Sequence, residues 1–371
     1  MTRSDAAVAR AVFGKLSSES FERLIAPYLG ASRLEVLVGP RVGHDCAIVR
    51  VGAGRVMAIT TDPLSMIPCI GVAASARLAC HLLASDLWTS GIPPAYVTVD
   101  FNLPPAMGDE TFGEYWRAMS EEWSRLGVAV VAGHTGRYPR GDEPAASVIG
   151  AATLIGIGDE GRYITPPMAA PGDRVIVTKG CAIEATAIAA HLIPQRMARA
   201  LADSGVPAAE AEIRLAGARA MLNDVSVVAD CRAAVRVGVH DRGVSALHDA
   251  TEGGVLGGLI ELAKASGHDL RVERARIPLT PEARAACAAF GGIDPYWTLS
   301  EGTLIAAVHP ANAAAVLESA SREGIVAADV GEVMNGSGRL WLTEGDGAVR
   351  TIDGAEPDPY WEAYARAAAN P

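Results

Sequence analysis

Four aspartates carry the strongest chemical signal in this chain: Asp45, Asp62, Asp86 and Asp249. The most telling context is His248-Asp249-Ala250-Thr251-Glu252-Gly253-Gly254, which runs into a helical pattern with Leu259, Leu262 and Ala263 on one face. Glycine lets a backbone approach a bulky anion, and a helix N-terminus offers it unpaired N–H groups. An acid beside such a loop would hold the cation that accompanies a phosphate. The same residues also describe a helix capped by Asp249 or Thr251 after a glycine-rich turn. This stretch alone leaves both readings open.

The other three acids sit at element ends. Gly43-His44-Asp45 precedes a strand expected over 47–51, and the Gly52-Ala53-Gly54 turn leads to a second over 56–60, which ends in Thr61-Asp62-Pro63. A hairpin brings Asp45 and Asp62 to the same end, although aspartate is also an ordinary turn residue. The pattern over 75–90 is helical, with Asp86 in the last turn, where the helix dipole disfavours a negative charge. A residue that breaks a local rule points to function, and a third carboxylate in one site would account for it.

A strand is expected over 96–102. A helix led by Asp109 follows, whose Phe112, Trp116, Met119, Trp123 and Leu126 read as core packing. Val128 to Ala132 reads as an apolar strand buried on both faces, delivering a ligand-contacting loop, Gly133-His134-Thr135-Gly136-Arg137. Near the start, Gly14-Lys15 stands before a helix over 17–29. The rest of a P-loop is missing, and composition alone makes Lys15 a solvated surface lysine.

Glycines and prolines over 156–172 suggest a linker. Beyond it come a strand over 174–178, Lys179-Gly180, and an alanine-rich helix up to Pro194. A helix over 206–222 and the central loop with its helix follow, then a strand over 270–273 and a helix entered by Thr280-Pro281-Glu282. Ser300-Glu301-Gly302 introduces a strand over 303–308, and a helix over 311–323 and strands over 328–333 and 339–343 complete the pattern. Strands and helices mix without strict alternation, so the fold class is α+β, with domains at 1–160 and 161–347 and a tail at 348–371. In that tail Tyr360, Trp361 and Tyr364 share one side of a short helix, expected to pack as an anchor on the surface.

With 371 residues the chain is long enough for two domains. Half the residues are hydrophobic and 20% are charged, and the formal net charge of -11 argues against nucleic acid while leaving small phosphorylated ligands open. Six scattered cysteines without a CxxC pair read as reduced thiols. Met1 to Asp5 lacks the apolar core of a signal peptide and no segment reads as a membrane span, so a cytoplasmic protein is expected.

Taken together, Gly43-His44-Asp45, Thr61-Asp62, Ser85-Asp86, Ala132-Gly133-His134-Thr135, Gly172-Asp173, Thr178-Lys179-Gly180, Asp249 to Gly254 and Ser300-Glu301-Gly302-Thr303 resemble the aminoimidazole ribonucleotide (AIR) synthase superfamily. That family includes HypE, selenophosphate synthetase and thiamine-monophosphate kinase, and HypE-like members are the nearest in pattern. The resemblance implies two α/β domains with mixed sheets flanked by helices, and a homodimer whose N-terminal sheets join into a barrel. It implies ATP and Mg²⁺ in the cleft, and phosphorylation or dehydration of a small amide-like or other oxygen-bearing substrate, with a maturation partner protein as another possible client.

By the same resemblance Asp45, Asp62, Asp86 and Asp249 fall at metal-binding positions, and Gly133, Thr135, Gly253 and Gly254 at nucleotide-loop positions, with Arg137 and Thr251 beside them. Gly14 would cover the phosphates, and Lys15, Lys179 and His134 are the candidates for work on the transferring group. A nucleotide-binding scaffold, or a small-molecule kinase resembling thiamine-monophosphate kinase, is the alternative. The chain departs from the pattern in three places. His44 stands where many members have a second acid, His134 where HypE has an aspartate, and Cys287 is the last cysteine, whereas HypE carries its cargo on a C-terminal one.

Overall fold

The structure is a computed structural model that describes residues 14–138 and 148–370. Met1 to Asp5, read above for a signal peptide, lies outside the described residues. Two mixed sheets, each with its own helices, organise the molecule.

The first sheet contains β1 (Val36–Val38), β2 (Ala47–Gly52), β3 (Arg55–Ser65), β4 (Pro94–Leu103), β5 (Ala129–Arg137) and β6 (Val148–Asp159), in the order β1-β2-β3-β6-β4-β5. Only β4 and β5 run parallel. Along β3 the residues alternate as a half-buried strand should: Val56, Ala58, Thr60 and Leu64 are buried on one face, and Asp62 falls in the same series. Asp62 is therefore a strand residue and not part of a turn, since β3 pairs with β6 through Ser65. A short α1 (Ser18–Leu24) precedes the sheet, and α2 (Val72–Trp88) and α3 (Asp109–Arg125) pack on its inner face. Tyr115, Met119 and Trp123 of α3 lie in the core.

The expectation for β5 needs correction. The strand runs through Arg137, so the anticipated loop at 133–137 is strand, and it is an exposed edge, with Val130 and Val131 41% and 55% accessible.

The second sheet contains β7 (Arg174–Thr178), β8 (Val244–Ala250), β9 (Asp269–Glu273), β10 (Thr303–Val308), β11 (Ala327–Met334), β12 (Leu340–Thr343) and β13 (Val349–Ile352), in the order β13-β12-β9-β11-β7-β10-β8. Helices cover both faces: α4 (Ile183–Leu192), α5 (Pro194–Asp203), α6 (Ala208–Ala220), α7 (Val228–Val235), α8 (Gly254–Ser266), α9 (Pro281–Ala289) and α10 (Ala313–Arg322). Alternation along β7 and β10 explains the layering. Val175, Val177, Ile305 and Ala307 join the core under α4, α5, α8 and α9, whereas Ile176, Leu304, Ala306 and Val308 join that under α7 and α10.

β8, α7 and β13 were not evident from sequence pattern. β8 is buried along its whole length, and Val244-Ser245-Ala246-Leu247 ahead of His248-Asp249 lacks the sustained alternation that marks a strand. The two halves interlock, because Val228 of α7 enters the first core and Val227 N–H donates to Ser85 Oγ of α2 at 3.0 Å. The tail ends in α11 (Tyr360–Ala369), whose Tyr360 is 1% exposed and meets the Phe290 ring edge-on at 5.5 Å. It is built into the second core, more deeply than a surface anchor.

Candidate active site

A cavity of about 510 Å³ lies where the two sheets, α4 and the tail converge. Asp45, Asp62 and Asp86 line it from the first half, Thr251, Glu184 and Glu301 from the second, and Gly14 with Lys15 from the N-terminal segment. Each acid is placed by a separate element. Asp45 stands at the entry to β2, and the register of Ala47 with Ile59 sets it beside Thr61 and Asp62 of β3. Asp86, in the last turn of α2, accepts a hydrogen bond from Thr60 Oγ at 2.9 Å, which ties the helix end to the strand. Asp249 arrives on β8, 2% exposed, beneath the other three.

The electrostatics are those of a cation site. Both carboxylate oxygens of Asp249 are buried with no hydrogen-bond partner among the described residues. Burial and then the Asp45 charge raise its carboxyl to about 8. Burial and then Glu252 raise that of Asp62 to about 7, and burial followed by Asp249, Asp62 and Asp45 lifts Asp86 well above the usual carboxylate range. Buried carboxylates this close resist ionising together unless a cation neutralises them. The orphaned Asp249 oxygens, with the Asp45 carboxylate close by, suit Mg²⁺, which takes oxygen ligands and bridges them to polyphosphate.

A histidine completes the arrangement. His248 Nδ1 lies 2.7 Å from Asp45 Oδ1 and its Nε2 lies 3.0 Å from Glu261 Oε2. Asp45, His248 and Asp249 are close enough to share an ion. With a carboxylate on each ring nitrogen, however, the ring is an imidazolium: burial alone would lower its pKa, and Asp45 and Glu261 raise it well above the ordinary value. It therefore positions Asp45 and does not ligate. Lys15 lies 3.6 Å from the other oxygen of Glu261. Burial would lower the Lys15 pKa, but Glu261, Asp45, Glu252 and Asp86 raise it. A row of alternating charge, Lys15–Glu261–His248–Asp45, thus runs along the cleft wall.

The remaining candidates divide. Thr251 and Gly14 join the aspartates. Gly14 is required where it stands, since a Cβ there would lie 2.5 Å from Trp361 Nε1. Lys179 does not line the cavity: its Nζ is held at 2.9 Å from Asp230 and 2.9 and 2.7 Å from the Asp224 and Ser226 carbonyls, bracing the segment behind Ser85 and Asp86. Gly133, His134, Thr135 and Arg137 lie on β5, separated from β3 by two strands and away from the aspartates of the same chain. His134 Nε2 meets the Tyr138 hydroxyl at 2.8 Å, and Arg137 pairs with Asp109 at 2.5 Å.

Gly253 and Gly254 serve the turn into α8. Gly254, at φ +64°, packs so closely on residues 296–298 that a Cβ would lie 2.6 Å from the Tyr296 carbonyl oxygen. The Gly253 N–H donates to the tail carboxylate of Asp358 at 2.9 Å. Sequence reasoning missed His248 and Glu261 as positioning residues and Glu184 as a cavity acid. Glu184 had a signal: it is the only acid in the alanine-rich α4.

Comparison with known proteins agrees with this geometry. Residues 43–157 match the N-terminal domain of the AIR synthase related protein family, and residues 170–342 match its C-terminal domain. The chain is 30% identical over 304 residues to carbamoyl dehydratase HypE of Rhizobium leguminosarum bv. viciae, covering 79% of this chain and 78% of that protein. It is 29% identical over 276 residues to selenide, water dikinase of Nitratidesulfovibrio vulgaris, covering 72% and 69%. Among solved structures, hydrogenase maturation protein HypE in complex with ATP shares the fold at a TM-score of 0.63 and 22% identity, over 93% of this chain and 94% of that one. With both halves matched in order and the aspartates gathered in one cleft, the chain belongs to the AIR synthase related protein family.

Proposed function

We propose that the chain is a Mg²⁺-dependent, ATP-using enzyme that phosphorylates or dehydrates a small amide-like or other oxygen-bearing acceptor. The carrying observation is Asp249, buried with both oxygens unpartnered among the described residues, close to Asp45 and Asp86, which line the cavity together with Asp62. The relatives add weight, because a carbamoyl dehydratase, a dikinase and a protein complexed with ATP share the family or its fold. The four aspartates would hold Mg²⁺, which supplies charge neutralisation for the polyphosphate.

The chain's own residues then have distinct tasks. His248 fixes Asp45 in place through Nδ1, and Glu261 secures the other nitrogen. Lys15, its side chain half exposed at the cleft, is the cation free to move from Glu261 onto a phosphoryl oxygen. Trp361, against Gly14, keeps the N-terminal segment over the cavity and helps exclude water. Gly133, His134, Thr135 and Arg137 face outward on β5, and a homodimer formed along that edge would cover them.

ATP hydrolysis, followed with and without Mg²⁺, tests the reading. Turnover should require the metal and fall about a hundredfold or more in Asp62→Asn. Tight nucleotide binding with no metal-dependent turnover in wild type would favour a non-catalytic scaffold.

A further inference from the structure

The cleft has a second end that the metal site does not explain. Glu184, in the first turn of α4, is 5% exposed, lines the cavity, and makes no hydrogen bond or ion pair among the described residues. Tyr360, Trp361 and Tyr364 of the tail helix line the same cavity. Their rings form one cluster, Tyr360 lying 5.3 Å from Trp361 and 5.7 Å from Tyr364 between centroids. α11 packs against α4, and Glu184 shares the cavity lining with these rings; burial first and the Glu184 charge next push up the Tyr360 phenol. The wall is held in place, because Asp358 accepts from the Gly253 and Tyr360 N–H groups at 2.9 and 2.8 Å.

We propose that this end of the cleft is a subsite for a small organic cation, an alkylammonium or guanidinium group of the acceptor, held by Glu184 against the aromatic wall of Tyr360, Trp361 and Tyr364. Charge balance favours a cation over a neutral group. Mg²⁺ held by the four aspartates would be matched by the polyphosphate, and Lys15 already pairs with Glu261. Glu184 and the equally unpartnered Glu301 are left without a counter-charge among the described residues, in a cavity that Glu252 also lines. Burial, with Glu252 next, raises the Glu184 carboxyl to about 8, and a bound cation would favour its charged form. Aromatic faces beside a buried carboxylate are what a desolvated ammonium or guanidinium binds best. The inference rests on the proposed ATP-using reaction only in calling this ligand an acceptor.

Calorimetric titration of the full chain with n-propylguanidinium, n-butylammonium and the neutral N-propylacetamide tests it, first without nucleotide and then with Mg²⁺ and a non-hydrolysable ATP analogue. At least one cation should bind about tenfold or more tightly than the amide. Glu184→Gln should abolish that preference, and Tyr364→Leu should weaken the cation about threefold while leaving the amide unchanged. Equal binding of amide and cations, absence of binding by any probe, or a preference that survives Glu184→Gln would overturn the subsite. Failure of the nucleotide analogue to bind would instead count against the ATP-using reading, while selectivity measured without nucleotide still decides the subsite.

Discussion

At the scale of single residues, Asp249 and His248 show how one strand end can carry two opposite electrostatic roles. Neighbours in sequence, they are both buried, but His248 is charged because carboxylates sit on both ring nitrogens, whereas neither carboxylate oxygen of Asp249 has a hydrogen-bond partner among the described residues. Asp249 therefore costs stability in the metal-free protein and repays it on binding a cation. Asp249→Asn should leave that protein as stable or up to about 1 kcal/mol more so, because it removes a buried like charge. The same substitution should sharply reduce the rise in melting temperature produced by Mg²⁺ with a non-hydrolysable ATP analogue. Thermal melts decide it: a full rise in both Asp249→Asn and Asp62→Asn would mean that these aspartates do not hold the metal.

At the scale of elements, the tail helix is both core and cleft wall. Tyr360 packs on Phe290, and Asp358 caps the turn above while seating on Gly253. Burial raises the Asp358 carboxyl to about 6 from an ordinary 3.8, more than its backbone hydrogen bonds lower it. A carboxyl whose folded value is raised contributes stability that is complete below about 4 and lost as pH rises through about 6. Tail docking should thus be firmer at pH 4.5 than at pH 7.5, by at most about 2 kcal/mol. Hydrogen exchange of the α11 amides across that range reads the effect. Asp358→Asn, which keeps an acceptor for Gly253 without a charge, should flatten the dependence; unchanged pH dependence in that variant would assign it to other groups.

For the whole molecule, β5 is the conspicuous feature. It is an edge strand, paired with β4 on one side only, with Val130 and Val131 exposed, and beside it a shallow apolar groove includes Phe101, Phe112 and Trp116. An exposed apolar edge invites pairing, and closure against a second copy would satisfy both its backbone groups and its side chains. The protein is expected to be a homodimer in solution, and Val131→Lys should shift it to monomer by introducing a charge at the centre of the seam. Light scattering at micromolar concentration checks both, and a wild-type monomer would refute the dimer.

Element types and the four aspartates were legible in the sequence because their signals are local: alternation along β3, helical spacing in α2, an acid misplaced at a helix end. The ordered motifs were enough to suggest the family. Tertiary structure decided the rest. A continuous apolar run reads alike in a central strand and in an edge awaiting a partner, so only the sheet order showed that β5 is exposed. Lys15 and Lys179 each stand beside a glycine, but the fold sends one to the cleft and pins the other to Asp230. A glycine pair before a helix looks the same whether it cradles a phosphate or packs on a neighbouring backbone, and Gly254 does the latter. Glu184 and the tail aromatics are far apart in sequence, and only folding against the second core makes them one wall of the cleft.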